Sequence, residues 1–478
     1  MVAWPPQAAK KLTPEPSRTR TNVIFILTDD QGIWASGCYG NPEIRTPNID
    51  RLAATGVRFS NFFCTSPVCS PSRATLMTGR VPSRHGVHDW IREGNVPPNA
   101  VEYLQGQTTY TDVLAAHGYH CGISGKWHLG ASQLQQHHFS HWYVHQSGGG
   151  PYHNAPMVRD GKLINEPGYV TNAITDDALA FLEARAGEEA PFYLSVHYTA
   201  PHSPWTGHPQ DIVDSYDDCP FESCPQEPRH PWAIWLTDQN LGNRESLKGY
   251  FAAVTAMDAD VGRILDRVEE LSLRENTLII FNSDNGFSCG HHGFWGKGNG
   301  TFPLNMYENS VKVPLIFSQP GRLPQGAVTE ALTSGYDFAP TLLDYLGLPG
   351  MGDERLPGRS FVPALMGQED PGHDSVVVFS EYGSTRMVRT REWKYVHRYP
   401  YGPHELYRLA DDPDERANLA ERAEHAGTVR ELRQQLSQWF HRYVDPRLDG
   451  KALPVTGQGQ LGLVGPGEEE NAFAQGDG

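Results

Sequence analysis

Cysteine is scarce in this chain. Seven are scattered over 478 residues (Cys38, Cys64, Cys69, Cys121, Cys219, Cys224 and Cys289), which excludes a disulfide-built scaffold and offers no zinc-ligand spacing. Cys219 and Cys224 are near enough in sequence to bridge a short loop, and two free thiols fit the spacing as well. Long apolar runs are also missing. The longest stretches, Val23–Leu27 and Leu278–Phe281, are strand-sized, far short of the ~20 residues of a membrane span, so no membrane association is expected. No apolar segment of the export type follows Lys10, Lys11, Arg18 and Arg20. Residues 1–20 therefore read as an N-terminal extension. The chain as it stands reads as cytoplasmic, and as periplasmic or secreted if a leader has been removed. Positive charge is short too: 39 Lys and Arg against 56 Asp and Glu give a formal charge of −17. The mean field repels polyanions, so no nucleic-acid partner is expected, although a local cationic pocket remains compatible with it.

What is present is enough apolar material for a large core, 38% of residues, arranged mostly as alternating strand and helix. Asn22–Leu27 and Thr277–Asn282 are continuous apolar runs, the pattern of strands buried on both faces. Phe192–Tyr198 and Val313–Phe317 read as further strands. Helices are expected after Thr46-Pro47, with Thr46 as the N-cap, near Thr109–Ala116, over 171–185, over 245–272 and over Asp337–Leu346. Apolar residues recur three and four apart through the longest of these. The fold class is therefore α/β: a large, mostly parallel sheet sandwiched by helices, occupying residues 21–370. Residues 371–445 change pattern to four short strands and a closing helix, a small antiparallel sheet plus helix. Residues 446–478 are Gly-rich and end acidic, and read as a tail with little regular structure.

Two oxygen-rich pairs stand where α/β sheets bind ligands, directly after buried strands. Asp29-Asp30 follows the first strand, and Asp284-Asn285 follows the strand ending at Asn282. Three carboxylates crowded together repel unless a cation sits between them, and an all-oxygen set favours Ca²⁺ or Mg²⁺ over zinc. Cys69-Ser70-Pro71-Ser72-Arg73 places a cysteine at a helix start, where free N–H groups and the helix dipole favour an anion. By itself the cysteine is compatible with a small buried side chain or with an unmodified thiolate nucleophile.

Cys69-Ser70-Pro71-Ser72-Arg73 with Leu76, Thr78 and Gly79 resembles the signature of the type I sulfatases of the alkaline phosphatase superfamily. Thr28-Asp29-Asp30-Gln31, Gly125-Lys126-Trp127-His128-Leu129-Gly130, Ala200-Pro201-His202, Ser283-Asp284-Asn285-Gly286, His292-Gly293 and Trp295-Gly296-Lys297 are similar to that family's other segments, in the family's order. Thr341–Asp344 and the stretch from Glu405-Leu406-Tyr407 to Asp412-Pro413 extend the likeness over roughly residues 21–420. The resemblance implies that Cys69 is oxidised to formylglycine, whose hydrate is the nucleophile. It implies Ca²⁺, with Mg²⁺ as the fallback, held by Asp29, Asp30, Asp284, Asn285 and residue 69. It also implies that Arg73 steadies the hydrate, that Lys126, His202 and Lys297 bind sulfate oxygens, and that His128 sits at the formylglycine hydroxyl.

The expected activity is hydrolysis of a sulfate monoester, of a carbohydrate or an aryl alcohol, to the alcohol and inorganic sulfate. His202 is the expected acid for the leaving alcohol and His128 the base. Lys126 and His128, two apart, face the same way if their segment is extended. The partners implied are a sulfated small molecule or saccharide and a formylglycine-generating or anaerobic sulfatase-maturating enzyme. Two other readings are a phosphodiester or phosphonate monoester hydrolase of the same superfamily and a non-catalytic binder of sulfated glycans. Trp205, Trp232 and Trp235 lie in an apparent insertion at 203–243, where both core or loop packing and stacking on sugars are open to them. For the imidazoles at His85, His88 and through His137–His153, near the second signature, solvated loops are the reading preferred over a lining of the substrate pocket.

Overall fold

Asn22–Thr28 and Thr277–Ser283 lie side by side at the middle of a ten-stranded sheet in the computed structural model, which describes residues 20–381, 384–465 and 472–475. Every residue of both strands is buried, and their side chains alternate between two cores. Val23, Phe25, Leu27, Leu278 and Ile280 pack on one face with Phe338 and Leu342. Ile24, Ile26, Ile279 and Phe281 pack on the other with Ile49, Leu52, Ile174, Phe181, Val261 and Ile264. A strand covered on both sides needs no polar alternation, which is why these runs are continuously apolar.

The sheet runs, in spatial order, Ala327–Thr329, Val57–Phe59, Leu315–Ser318, Thr277–Ser283, Asn22–Thr28, Phe192–His197, His120–Gly125, Phe139–His145, His153–Arg159 and Lys162–Tyr169. From Thr277–Ser283 to Phe139–His145 all neighbours are parallel. The margins depart from the mostly parallel expectation. Leu315–Ser318 is antiparallel to both neighbours, and His153–Arg159 and Lys162–Tyr169 form an antiparallel hairpin on Phe139–His145. A hairpin needs only a short turn, here at Asp160-Gly161, whereas each parallel neighbour needs a crossover.

The parallel strands end in register. Thr28 pairs with Ser283, Leu27 with His197, and His197 with Gly125. The segments that follow, Asp29-Asp30, Asp284-Asn285, Ala200-Pro201-His202 and Lys126-Trp127-His128, therefore leave the sheet along one edge.

The long helix is Arg244–Glu270, capped by Asn243, whose side-chain oxygen accepts from the Glu245 and Ser246 amides. Tyr110–Ala116 begins with a reciprocal box between Thr109 and Asp112. The helix Pro47–Ala54 starts where expected, but Thr46 does not cap it. The Thr46 hydroxyl is engaged by Gly37 and Asp50, and Asp258 of the long helix accepts from the Asn48 and Ile49 amides instead.

The strands Ser375–Ser380, Thr385–Thr390, Trp393–Arg398 and Glu405–Arg408 form an antiparallel sheet. Ala426–Tyr443 covers it, burying Leu432, Leu436 and Phe440 on Val377, Phe379, Val388, Tyr395 and Leu406. Buried Lys394 ties this sheet to the larger one through Glu308, Glu415 and the Met306 carbonyl.

Among the described residues beyond 446 there is one short 3-10 turn, Gly450–Ala452, and this segment folds back on Trp90–Arg92. Residues 1–19 and the acidic Glu468-Glu469-Glu470 lie outside the described residues. Among those described, no helix is long and apolar enough to cross a membrane, and all seven cysteines are free thiols, Cys219 and Cys224 included.

Candidate active site

Cys69 opens the helix Cys69–Thr78, and Val68 before it offers no side-chain cap, so the amides of Cys69 and Ser70 have no partner within the helix. All ten residues of this helix are buried. Small polar residues line it because each finds a partner inside the protein. Ser70 accepts from the Ile91 amide, Ser72 donates to the Asp284 carbonyl, and Thr75 pairs with His85. Gly79 ends the helix at φ 64°, a left-handed conformation that glycine adopts without strain. Burial pushes the Cys69 thiol above its ordinary range, although Lys126 and Lys297 pull the other way. A thiol held neutral is a poor nucleophile, which disfavours the unmodified-thiolate reading.

Asp29, Asp30, Asp284 and Asn285 converge at the sheet edge. The Asp30 amide donates to Asp284 Oδ1 at 3.3 Å, and Asn285 Nδ2 donates to Asp30 Oδ1 at 2.7 Å. Each carboxylate also meets a buried cation: Asp29 meets Lys126, Asp30 meets Lys297 at 2.5 Å, and Asp284 meets Arg73 at 2.8 Å. Burial alone would raise the Asp29 carboxyl, but Lys126 foremost, with His202, Lys297 and Arg73, holds it well below the usual range. Burial and the adjacent Asp29 charge push Asp284 up to about 6. Burial depresses Lys297, and Asp30 first among the acidic groups more than restores it. Asp30 itself adopts φ 66°, uncommon for a residue with a side chain and a mark of a constrained site.

Two oxygens in this cluster, Asp29 Oδ1 and Asn285 Oδ1, are buried without a hydrogen-bond partner. Buried polar atoms of this kind ordinarily find one. Three carboxylates and an amide oxygen, two atoms unpaired, match the donor set of a hard divalent cation. Asp29, Asp30 and His202 each place a ligand atom within 4.8 Å of the others. Three cations already offset the three carboxylates, so a divalent ion would turn a nearly neutral floor into one that attracts an anion.

His128 and His202 line the same cavity as Cys69. The strand before His128 ends at Gly125, and His128 takes φ 55°. The segment is therefore not extended, and Lys126 and His128 do not share a face as expected. Lys126 turns down to Asp29, while His128 Nε2 lies 3.0 Å from the Ile91 carbonyl. A carbonyl only accepts, so Nε2 carries the proton and Nδ1 is left with a lone pair. Nδ1 is buried and unpartnered. Burial first, and then Lys126, keep this imidazole far below its ordinary value, hence neutral. His202 Nδ1 lies 2.8 Å from the Ser203 carbonyl, and its Nε2 is 3.9 Å from Asp30 Oδ2.

Cys69, His128, His202 and Lys297 line a cavity of about 700 Å³. Lys126, Arg73 and the acidic cluster lie beneath it. The remaining walls come from segments with no motif. Gly148 and Gly149 lie against the rings of His128 and His202, and a Cβ on Gly148 would come within 2.3 Å of the His128 ring. Trp90–Arg92 and Thr456–Gln458 make another wall, Ile234–Leu236 and Asn299–Phe302 a third. The run of glycines at 148–150 was the one available sequence signal for the first of these.

Among the tryptophans of the insertion, Trp205 is core, packed on Phe287 and Trp295. Trp235 is exposed at the cavity, and Trp232 lies beneath Arg398. The histidine-rich stretch is a solvated loop only in part, with His138 in an exposed turn and His153 exposed. Phe139–His145 is a sheet strand with His145 buried, and His85 and His88 are buried outside the cavity. His292 stacks on Tyr307, at 3.8 Å between ring centres.

The family model described as Sulfatase matches residues 21–348, and that described as N-sulphoglucosamine sulphohydrolase, C-terminal, matches residues 290–442. A choline-sulfatase of Rhizobium meliloti is 32% identical, aligning 84% of this chain with 83% of its own. An N-acetylglucosamine-6-O-sulfatase of Bacteroides thetaiotaomicron is 29% identical, over 90% of this chain and 88% of its own. Among solved structures, one described as a complex with its substrate D-glucosamine-2-N,6-O-disulfate superposes with a TM-score of 0.76 at 28% identity, covering 89% of this chain and 98% of that one.

Proposed function

This chain belongs to the type I sulfatase family and is a sulfuric ester hydrolase, and from that premise we propose that it hydrolyses a carbohydrate sulfate, with residue 69 as formylglycine and Ca²⁺ as the metal. Members of the family generally use formylglycine and a divalent metal. The observation that carries the reading is the meeting, at one sheet edge, of the Cys69 helix start with Asp29, Asp30, Asp284, Asn285 and the unpaired oxygens of Asp29 and Asn285. Mg²⁺ satisfies the same donors less readily, because it demands octahedral geometry and retains its waters. A formylglycine-generating or anaerobic sulfatase-maturating enzyme would act on Cys69 before residues 69–78 are enclosed, since the finished helix is buried.

Asp29, Asp30, Asp284, Asn285 and residue 69 would hold the ion. When present, the ion and formylglycine supply positive charge for the sulfate and a hydrated aldehyde whose hydroxyl is the nucleophile. Lys297 reaches the cavity and binds a sulfate oxygen. Lys126, fully buried on Asp29, contributes its charge from beneath. Arg73 fixes Asp284 and the Lys126 carbonyl and keeps one guanidinium nitrogen free beneath residue 69. His202, whose Nδ1–H is held by the Ser203 carbonyl, would donate from Nε2 to the departing alcohol oxygen as the doubly protonated imidazolium. His128 Nδ1 accepts a proton from the residue 69 hydroxyl, for which its fixed Nε2–H tautomer is already correct.

The carbohydrate assignment draws on the exposed Trp235 at the cavity and on the named activity of the Bacteroides relative. The test is sulfate release by matured enzyme from a panel of sulfated saccharides, aryl sulfates and phosphate diesters. The reading expects kcat/KM on at least one saccharide to exceed the diester value by more than about a hundredfold. Faster turnover of the diester would replace the reading with the phosphodiesterase one.

A further inference from the structure

Two walls of the cavity have opposite chemistry, and neither is used by the reaction at residue 69. One is apolar. Ala233 bridges Thr301, the Ile234 amide donates to the Gly300 carbonyl, and the Phe302 amide donates to the Trp232 carbonyl. This pairing presents Trp235 and Phe302 together at the cavity, 63% and 60% exposed. Large aromatics are not left this exposed by core packing, and a ring face at a binding cleft suits the C–H face of a sugar.

The other wall carries a cation. Arg92 is exposed at the cavity, and its backbone is pinned by the Gln460 carbonyl at 2.9 Å. Its guanidinium donates to the Gln458 carbonyl at 3.3 Å, and among the described residues no carboxylate pairs with it. Every cation beneath residue 69, by contrast, is already paired: Lys126, Lys297 and Arg73 each with its own carboxylate. In a chain of net charge −17, an unpaired guanidinium held at the mouth of an anion site is the group left to select substrate.

We propose that Arg92 forms a second anion subsite, so that the preferred substrate is a saccharide carrying another sulfate or carboxylate besides the scissile sulfate, its sugar face resting on Trp235 and Phe302. The cavity of about 700 Å³ is large enough for this, within the ~300–1,000 Å³ range that encloses a ligand of several rings. The proposal rests on the carbohydrate-sulfatase reading above and deepens it.

The test compares matured wild type, Arg92→Ala and Arg92→Lys on three saccharides and one aryl sulfate. The saccharides are N-acetylglucosamine 6-sulfate, glucosamine 2-N,6-O-disulfate and a disaccharide joining a hexosamine 6-sulfate to a uronic acid. Wild type should favour a doubly anionic saccharide over the singly sulfated one by roughly ten- to hundredfold in kcat/KM, mostly through KM. Arg92→Ala should abolish that preference and Arg92→Lys should retain part of it. Preference for the disulfate identifies the second anion as sulfate, and preference for the disaccharide identifies it as carboxylate. If wild type handles all three saccharides within about twofold, or if Arg92→Ala keeps the wild-type ratio, the subsite is refuted. Failure of matured enzyme on every saccharide and on the aryl sulfate would instead refute the sulfatase reading beneath it.

Discussion

Cys69→Ala removes one small side chain from a helix start, with no packing residue lost. The expected result is loss of turnover to background with a circular dichroism spectrum and melting temperature close to wild type. Cys69→Ser should be equally inactive where maturation accepts only cysteine. His128→Ala is the sharper probe of roles. Its Nε2 is locked on Ile91 and its Nδ1 is left buried and unpartnered, the nitrogen assigned here to residue 69, so its loss should slow sulfate release more than alcohol release. Single-turnover kinetics should then show a burst of alcohol close to one per active site, followed by a slow steady state. His202→Ala should slow the first step and recover on substrates with acidic leaving alcohols, and absence of a burst in His128→Ala would exchange the two assignments. At this scale the residues that meet at the sheet edge were legible, because short motifs named them and the register of parallel strands gathered them. The orientation of His128 was not, since nothing in Lys126-Trp127-His128 announces a left-handed φ or the Ile91 carbonyl that waits for its ring.

The elements that frame the site were unevenly legible. Helices with apolar periodicity and four of the buried strands were recognisable; buried His120–Gly125 was not, because its glycines and serine break the apolar run. The wall elements were not, because they are held by single side chains rather than by patterns. Gln460 is the clearest case: fully buried, it accepts from the His88 amide at 2.9 Å and donates to the Gly86 and Gly462 carbonyls at 2.9 and 3.0 Å. In sequence it sits in a Gly-rich segment that reads as tail. Gln460→Ala leaves these backbone groups without partners and should cost about 2–4 kcal/mol. It also loosens the loop whose Ile91 carbonyl orients His128. The expected outcome is a lower melting temperature together with a several-fold fall in kcat, checked by calorimetry and steady-state kinetics. A wild-type kcat would mean that the segment is only a cover. Asn243→Ala, at the cap of the long helix and outside the cavity lining, should cost about 1 kcal/mol and leave kcat unchanged.

For the whole molecule, the layered α/β plan and the small C-terminal sheet follow from where apolar runs change period. The antiparallel hairpin His153–Tyr169 escaped notice because its outer strand is largely exposed and carries Lys162, Asn165 and Glu166. The many buried histidines give the protein a pH signature. His88, His145 and His291 are each held down to about 4, chiefly by burial. Between about 4 and the ordinary value near 6.5 the unfolded chain binds protons there that the folded chain does not, so stability is lost as pH falls through this window. Buried Asp89, Glu381 and Glu415, pushed up to about 7, and Asp258 and Asp284, pushed up to about 6, act in the opposite sense, but they are outnumbered by the lowered histidines, which also include His208 and His397 at about 4 and His85, His128 and His197 well below their ordinary value. The melting temperature should fall steadily from pH 6.5 to 4, and a flat profile would contradict the buried, neutral histidines. Elemental analysis of purified enzyme should find about one Ca²⁺ or Mg²⁺ per chain, lost in Asp284→Ala.

The account as a whole stands on residue 69 being made into its nucleophile. The most direct measurement is the mass of the peptide spanning Cys69, taken on preparations matured to different extents and set against their specific activity. Conversion of the thiol to the aldehyde lowers the mass by about 18 Da, the change an activated nucleophile at this position requires. The account predicts that specific activity on a sulfate ester rises in proportion to the converted fraction and extrapolates to zero where none is converted. Full activity in a preparation whose Cys69 peptide carries only the unmodified thiol would contradict it.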